Sequence, residues 1–160
     1  MRPIQRILVP LDGSPLAETI LPHVVDLSRR YDAEVVLLRV VLAHAFPGSD
    51  LTDAQVHLVG VAVAYLAEVE RHLQSQGMRV DTAVRYGHPP EQILDHAQAR
   101  HVDLIAMSTH GRTGLAHAVL GSVAEHVVRR SPVPVLLLPP TAAGVHRTAI
   151  TRDGAEPKAA

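Results

Sequence analysis

Apolar positions along the chain alternate between two rhythms, short unbroken aliphatic runs and longer stretches where they return every three or four residues. Ile7 to Leu11 is a run of the first kind, closed by the turn residues Asp12-Gly13-Ser14-Pro15, and predicts strand one. Ser14 suits a helix cap and Pro15 a first helical position. Leu16, Ile20, Val24, Leu27 and Tyr31 then mark one helix. Ala33 to Val41 is a near-continuous β-branched and aliphatic run, the pattern of a strand buried on both faces.

After a loop from about His44 to Leu51, Thr52-Asp53-Ala54-Gln55 has the form of a capping box ahead of a helix carrying Val56, Val59, Val63, Leu66 and Leu73 and stopping at Gly77. Arg79 to Tyr86 alternates as a third strand, and Pro89-Pro90 opens a helix with Ile93, Leu94 and Ala97. Val102 to Met107 reads as strand four and Ser108 to Gly121 as a long connection. Ser122 to Arg130 is a helix and Val133 to Leu138 is strand five.

That alternation predicts an α/β fold: a five-stranded, doubly wound parallel sheet with helices on both faces, Rossmann-like. Residues 1–139 are expected to form one nucleotide-binding-type domain, since Pro139-Pro140 cannot continue a central strand. Residues 140–160 are small, polar and aperiodic, and are expected to be a flexible tail.

Composition narrows the function. Fifteen basic residues against sixteen acidic ones, with four aromatics and no Trp, argue against nucleic acid as a partner. Zero Cys removes thiol nucleophiles, disulfides and cysteine metal sites. The longest apolar run, Leu58 to Ala67, falls short of the roughly 18 residues a membrane-spanning helix needs. Met1 to Leu11 has no signal-peptide pattern, so a soluble cytoplasmic protein with no membrane partner is expected.

In a doubly wound sheet the ligand crevice lies at the carboxyl ends of the strands, where the strand order reverses. Orders 2-1-3-4-5 and 3-2-1-4-5 both put strand one there, and with it Asp12-Gly13-Ser14. Ser108-Thr109-His110-Gly111 joins the crevice if strand four is the neighbour across the switch. Familiar occupants fail on residue counts: arginine supplies fourteen of the fifteen basic residues and the only lysine is Lys158. A Walker A loop and a phosphorelay receiver both need a lysine that is absent. No Gly-x-Gly and no Gly-x-Ser-x-Gly occurs, which removes the dinucleotide fingerprint and the nucleophile elbow.

The segment Ser108-Thr109-His110-Gly111-Arg112-Thr113-Gly114, with Gly121-Ser122-Val123 opening the fourth helix, has the makings of a phosphate cradle. Its glycines admit close backbone approach, its hydroxyls donate, and a helix start offers N–H groups and a positive dipole end. The competing reading is that Ser122 and Glu125 form a capping box and the glycines only serve turns.

Ile7-Leu8-Val9-Pro10-Leu11-Asp12-Gly13-Ser14, the stretch Met107 to Gly114, Leu120-Gly121-Ser122-Val123 and Pro132-Val133-Pro134-Val135-Leu136 together resemble the universal stress protein family, across Ile4 to Leu138. The resemblance implies a five-stranded α/β fold, usually dimeric. The family's ATP-binding branch carries Gly-x-x-Gly, nine residues, then Gly-Ser or Gly-Thr. Here the second glycine is Gly111, nine residues follow, and the pair is Gly121-Ser122; the first position is Ser108. By this resemblance Asp12 and Val40 contact adenosine, Pro10 lines the adenine pocket, and Ser108, Thr109, His110, Gly111, Arg112, Thr113, Gly114, Gly121, Ser122 and Val123 hold ribose and phosphates. Mg²⁺ would arrive bound through the phosphates of ATP, without a protein cage.

Eleven histidines include none spaced i, i+4, so no protein-bound metal is expected. No hydroxyl nucleophile, base and orienting acid assemble around His110, so no catalytic residue is assigned. Three functions follow: a stress or signalling protein that binds ATP and hydrolyses it slowly at most, a nucleotide-free dimeric adaptor suggested by Ser108, and a phosphotransferase or hydrolase using His110. A homodimer is expected to form through the apolar strand Val133 to Leu138.

Overall fold

The computed structural model describes residues 3–42, 51–109 and 120–139, with the side chains of residues 51–54 left aside. Five strands form one sheet: β1 (Arg6–Pro10), β2 (Glu34–Val41), β3 (Val80–Tyr86), β4 (Leu104–Ser108) and β5 (Val135–Leu138). Among the described residues five helices connect them: α1 (Pro15–Glu18), α2 (Leu21–Tyr31), α3 (Leu51–Ser75), α4 (Pro89–Ala99) and α5 (Ser122–Arg130). The order is β3-β2-β1-β4-β5 and every pairing is parallel. The chain steps outward from β1 to β3, then returns to β4 on the other side. The reversal therefore falls between β1 and β4, the second of the two orders open to the sequence.

Because neighbouring strand residues point to opposite faces, the aliphatic runs feed two cores. Ile7, Val9, Val35, Leu37 and Ala106 pack with Ile20 and Val24 near and in α2, and with Leu66, Val69 and Leu73 of α3. Leu8, Val36, Leu38, Ile105 and Met107 pack with Ile93 and Ala97 of α4 and with Ala124 and Val127 of α5. Alternate residues of one strand thus face different chemical settings, which matters at the carboxyl edge.

Four expectations change in detail. The single helix after strand one is two, broken at Thr19 and Ile20, because Pro22 lacks the N–H a continuous helix would use and its ring would strike the Glu18 carbonyl. Thr52 to Gln55 lie inside α3, which begins at Leu51, so they do not precede the helix. Strand four is shifted to Leu104–Ser108. Strand five starts at Val135: the Ser131 hydroxyl accepts from the Val133 N–H at 3.2 Å and donates to the Val133 carbonyl at 2.7 Å, holding that stretch as a turn ahead of Pro134. The tail expected at 140–160 lies outside the described residues.

Candidate functional site

At the carboxyl edge of β1 and β4 the sheet opens into a cavity of about 270 Å³. Its walls are aliphatic: Leu38 and Val40 from β2, Ile93 from α4, Met107 from β4, Val123 and Ala124 from α5, with Pro10 and Pro89 at the sides. It lies mainly on the α4/α5 face, since Leu38 and Met107 belong to that core and Val40 packs against it, while Leu11 and Ala17 of the opposite core also line it.

One end of the cavity is the turn after β1. Pairing with β2 continues one residue past the strand, where the Leu11 N–H donates to the Leu38 carbonyl at 2.9 Å. Asp12 then folds back, its Oδ1 accepting the Ser14 N–H at 2.8 Å, and the Ser14 hydroxyl accepts the Ala17 N–H at 3.1 Å to cap α1. Among the described lining residues Asp12 is the only ionisable one.

The other end joins β4 to α5. The Thr109 N–H donates to the Leu138 carbonyl at 2.9 Å, and the Thr109 carbonyl accepts the Gly121 N–H at 3.0 Å. A Cβ on residue 121 would stand 2.6 Å from that carbonyl, so only glycine permits the contact. Gly121 is also the N-cap of α5, and no described side chain caps the helix. The capping box expected of Ser122 and Glu125 is therefore absent: the register set by Gly121 makes Ser122 the first helical residue, and Glu125 accepts instead from Arg129 Nε at 3.0 Å. Gly121 to Ala124, the residues that open α5 and carry its first N–H groups and positive end, line the cavity.

The lining thus brings together eight of the positions singled out in the sequence: Pro10, Asp12, Val40, Ser108, Thr109, Gly121, Ser122 and Val123. His110, Gly111, Arg112, Thr113 and Gly114 lie outside the described residues. Ser108 ends β4 and is buried, and it has an ordinary negative φ: the positive-φ residues other than glycine among those described are Asp32 and His101. Leu38, Pro89, Ile93, Met107 and Ala124 were not foreseen. Leu38 carries a readable signal, two residues before Val40 on the same strand face; the α4 residues depend on which helix covers that face. Among the described residues no group of three His, Asp or Glu side chains has the spacing to hold a metal ion. None of their helices is long and apolar enough to cross a membrane.

The sequence profile of the Universal stress protein family matches residues 3–139. A universal stress protein of Methanocaldococcus jannaschii is 30% identical over 139 residues, covering 84% of this chain and 81% of the relative. The solved structure of MJ0577, a protein of the same organism, superposes with a TM-score of 0.81 at 30% identity, covering 89% of this chain and 100% of that one. Two more distant relatives, alike in fold, were solved with nucleotides. One universal stress protein is in complex with cAMP (20% identity, TM-score 0.64, 88% of this chain and 100% of that one). That of Archaeoglobus fulgidus is in complex with dAMP (17% identity, TM-score 0.57, 85% and 98%). With the profile spanning nearly every described element and the fold matching throughout, the chain belongs to the universal stress protein family.

Proposed function

We propose that the crevice binds an adenine nucleotide, with ATP as the occupant, and that the protein senses or carries the nucleotide in stress response or signalling. The observation that carries this reading is the start of α5, which no described side chain caps, held against β4 by the Gly121–Thr109 contact and lining the same aliphatic cavity as Asp12. Phosphates suit the α5 end, where N–H groups and the helix dipole favour negative charge. Asp12 repels phosphates and accepts from hydroxyl or amino groups, so it suits the ribose or the base. The aliphatic walls suit the flat base itself. The cAMP and dAMP bound by two distant relatives fit the same chemical class.

Ser108 is compatible with this reading. A serine in the first glycine position would be costly if that position needed a left-handed backbone, and Ser108 is an ordinary strand residue. Magnesium would travel with the phosphates and keep most of its water. Turnover is expected to be slow, because no lysine is among the described lining residues and their one carboxylate, Asp12, is assigned to the ribose or base and not to an attacking water. A rate within the ordinary enzymatic range of about 1 to 1000 per second would contradict this part of the reading.

The protein is further proposed to be a homodimer through β5. That strand occupies the sheet edge next to β4, and its four aliphatic residues are each only partly buried. A monomer by light scattering at micromolar concentration would contradict this.

The binding test is calorimetric titration of ATP, with and without Mg²⁺, into the wild type and Gly121→Val. Saturable binding lost in a folded Gly121→Val variant is expected, since the valine would force α5 away from Thr109. A folded, initially nucleotide-free wild type that takes up no ATP would overturn the reading in favour of an adaptor working through protein contacts.

A further inference from the structure

Arg39 follows Leu38 on β2 and therefore turns away from the crevice, to the α2/α3 face of the sheet. Its guanidinium lies beneath the turn after β1. A Cβ on Gly13 would stand 2.7 Å from Nη1, so the guanidinium lies close against the turn. On its other side the guanidinium carbon lies 5.7 Å from the centre of the Tyr65 ring on α3, within cation–π reach. The Tyr65 hydroxyl donates to Glu18 Oε1 at 2.8 Å, and Glu18 ends α1. Burial first, and the Glu18 carboxylate second, push the phenol far above its ordinary pKa, so it remains a neutral donor.

These contacts form a loop of parts. The β1 turn rests on Arg39, Arg39 on Tyr65, Tyr65 on Glu18, and Glu18 lies one helical turn after the β1 turn itself. The turn so braced is the one that presents Asp12 to the crevice. We propose that Arg39, supported by Tyr65 and Glu18, is a positioning residue for the crevice: from the opposite face of the sheet it holds the Asp12-Gly13-Ser14 turn so that the Asp12 carboxylate meets the sugar or base of the nucleotide. This rests on the adenine-nucleotide reading above, and adds to it a residue that never touches the ligand.

The test compares ATP with inorganic tripolyphosphate, which engages the α5 end and lacks the groups Asp12 would meet. Titrations are made into the wild type, Arg39→Met, Arg39→Lys and Tyr65→Phe. Exchange of the Ser14 amide, whose partner is Asp12, is followed in the ligand-free proteins. Arg39→Met is expected to weaken ATP about tenfold, within the usual span of coupling between separate sites, and to leave tripolyphosphate nearly unchanged. Arg39→Lys should recover part of the loss. Tyr65→Phe, which keeps the ring and loses one hydrogen bond, should weaken ATP about threefold. Ser14 should exchange faster in Arg39→Met while the β2 and β4 amides stay protected.

Equal losses for ATP and tripolyphosphate would mean general loosening and overturn the proposal, as would wild-type ATP affinity in Arg39→Met with Ser14 still protected. Where Arg39→Met fails to fold, the nearly isosteric Tyr65→Phe carries the same comparison. A wild type that binds no ATP removes the nucleotide reading; Ser14 exchange then decides the bracing alone, faster exchange supporting it and unchanged exchange overturning it.

Discussion

Leu37 and Arg39 point to one face of β2, Leu38 and Val40 to the other, and the carboxyl edge of the sheet differs accordingly. On the α2/α3 face the edge is filled, with Arg39 wedged between the Gly13 turn and the Tyr65 ring. On the α4/α5 face it is open, and Val40 looks onto a cavity of about 270 Å³. The sheet is equally well packed below both edges, since Leu37 and Leu38 are both wholly buried. A doubly wound fold therefore does not make a crevice by leaving its core loose. It stops filling one face a residue or two before the strand ends, and puts a large side chain at the same level on the other.

The largest way to break the comparison is to fill the open side. Val40→Trp should occupy the space a base would take and weaken ATP by about a hundredfold or more in titration, with the thermal midpoint little changed. Unchanged affinity would separate the cavity from the binding site. A second change sharpens the contrast at the buried level. Leu37→Ala should cost about 3 to 5 kcal/mol in urea unfolding, because a dry void remains, while Leu38→Ala should cost about 1 kcal/mol less, because its void opens into the crevice and admits water. Equal costs would mean that the crevice floor is as sealed as the opposite face.

A third prediction concerns the open face away from the crevice. His96 of α4 is buried, its Nδ1 accepts from Arg85 Nε at 3.3 Å, and Nε2 has no partner among the described residues. Burial chiefly, then the charges of Arg85 and Arg100, hold its pKa below the ordinary value, against a smaller pull from Asp81. The unfolded chain then binds the proton more readily than the folded one. The contribution is fully present above the unfolded value of about 6.5 and is lost as pH falls from there toward the folded pKa. Stability should decline as pH falls below about 6.5, and His96→Leu should flatten that decline. An identical slope in the variant would assign the acid sensitivity elsewhere. The smallest effect belongs to the outer surface of α5, where Arg129 pairs with Glu125 at 2.9 Å in full view of solvent: Arg129→Ala should shift stability by no more than about 0.5 kcal/mol and leave ATP affinity unchanged.

Much of this was legible because parallel strands buried on both faces write themselves as unbroken aliphatic runs, and because turns need Asp, Gly, Ser and Pro at fixed places. Ile7 to Asp12 and the Gly121-Ser122 pair could be read on those grounds. Strand edges and helix breaks were harder, since Pro22 acts through the carbonyl four residues before it while the apolar spacing runs on past the break. The α5 cap stayed open between two readings because Ser-x-x-Glu has the same form whether Ser is the cap or the first helical residue. What decides it is Gly121 against Thr109, a contact across the long connection after β4. Arg39 gave no signal at all: an arginine near a strand end is ordinary until the strand order and the position of α3 put Tyr65 beside it.

The central place of β1 also bears on how the chain is born. Its edge toward β2 finds a partner early, but its other edge waits for β4, about 95 residues further along, or roughly 5 to 20 s at ordinary rates of synthesis. Over that interval Ile7 and Leu8, which end wholly buried, belong to a strand with one open edge and no finished core. The crevice, which needs that same junction, can only appear last, so a ligand that fills it would select chains whose assembly is complete.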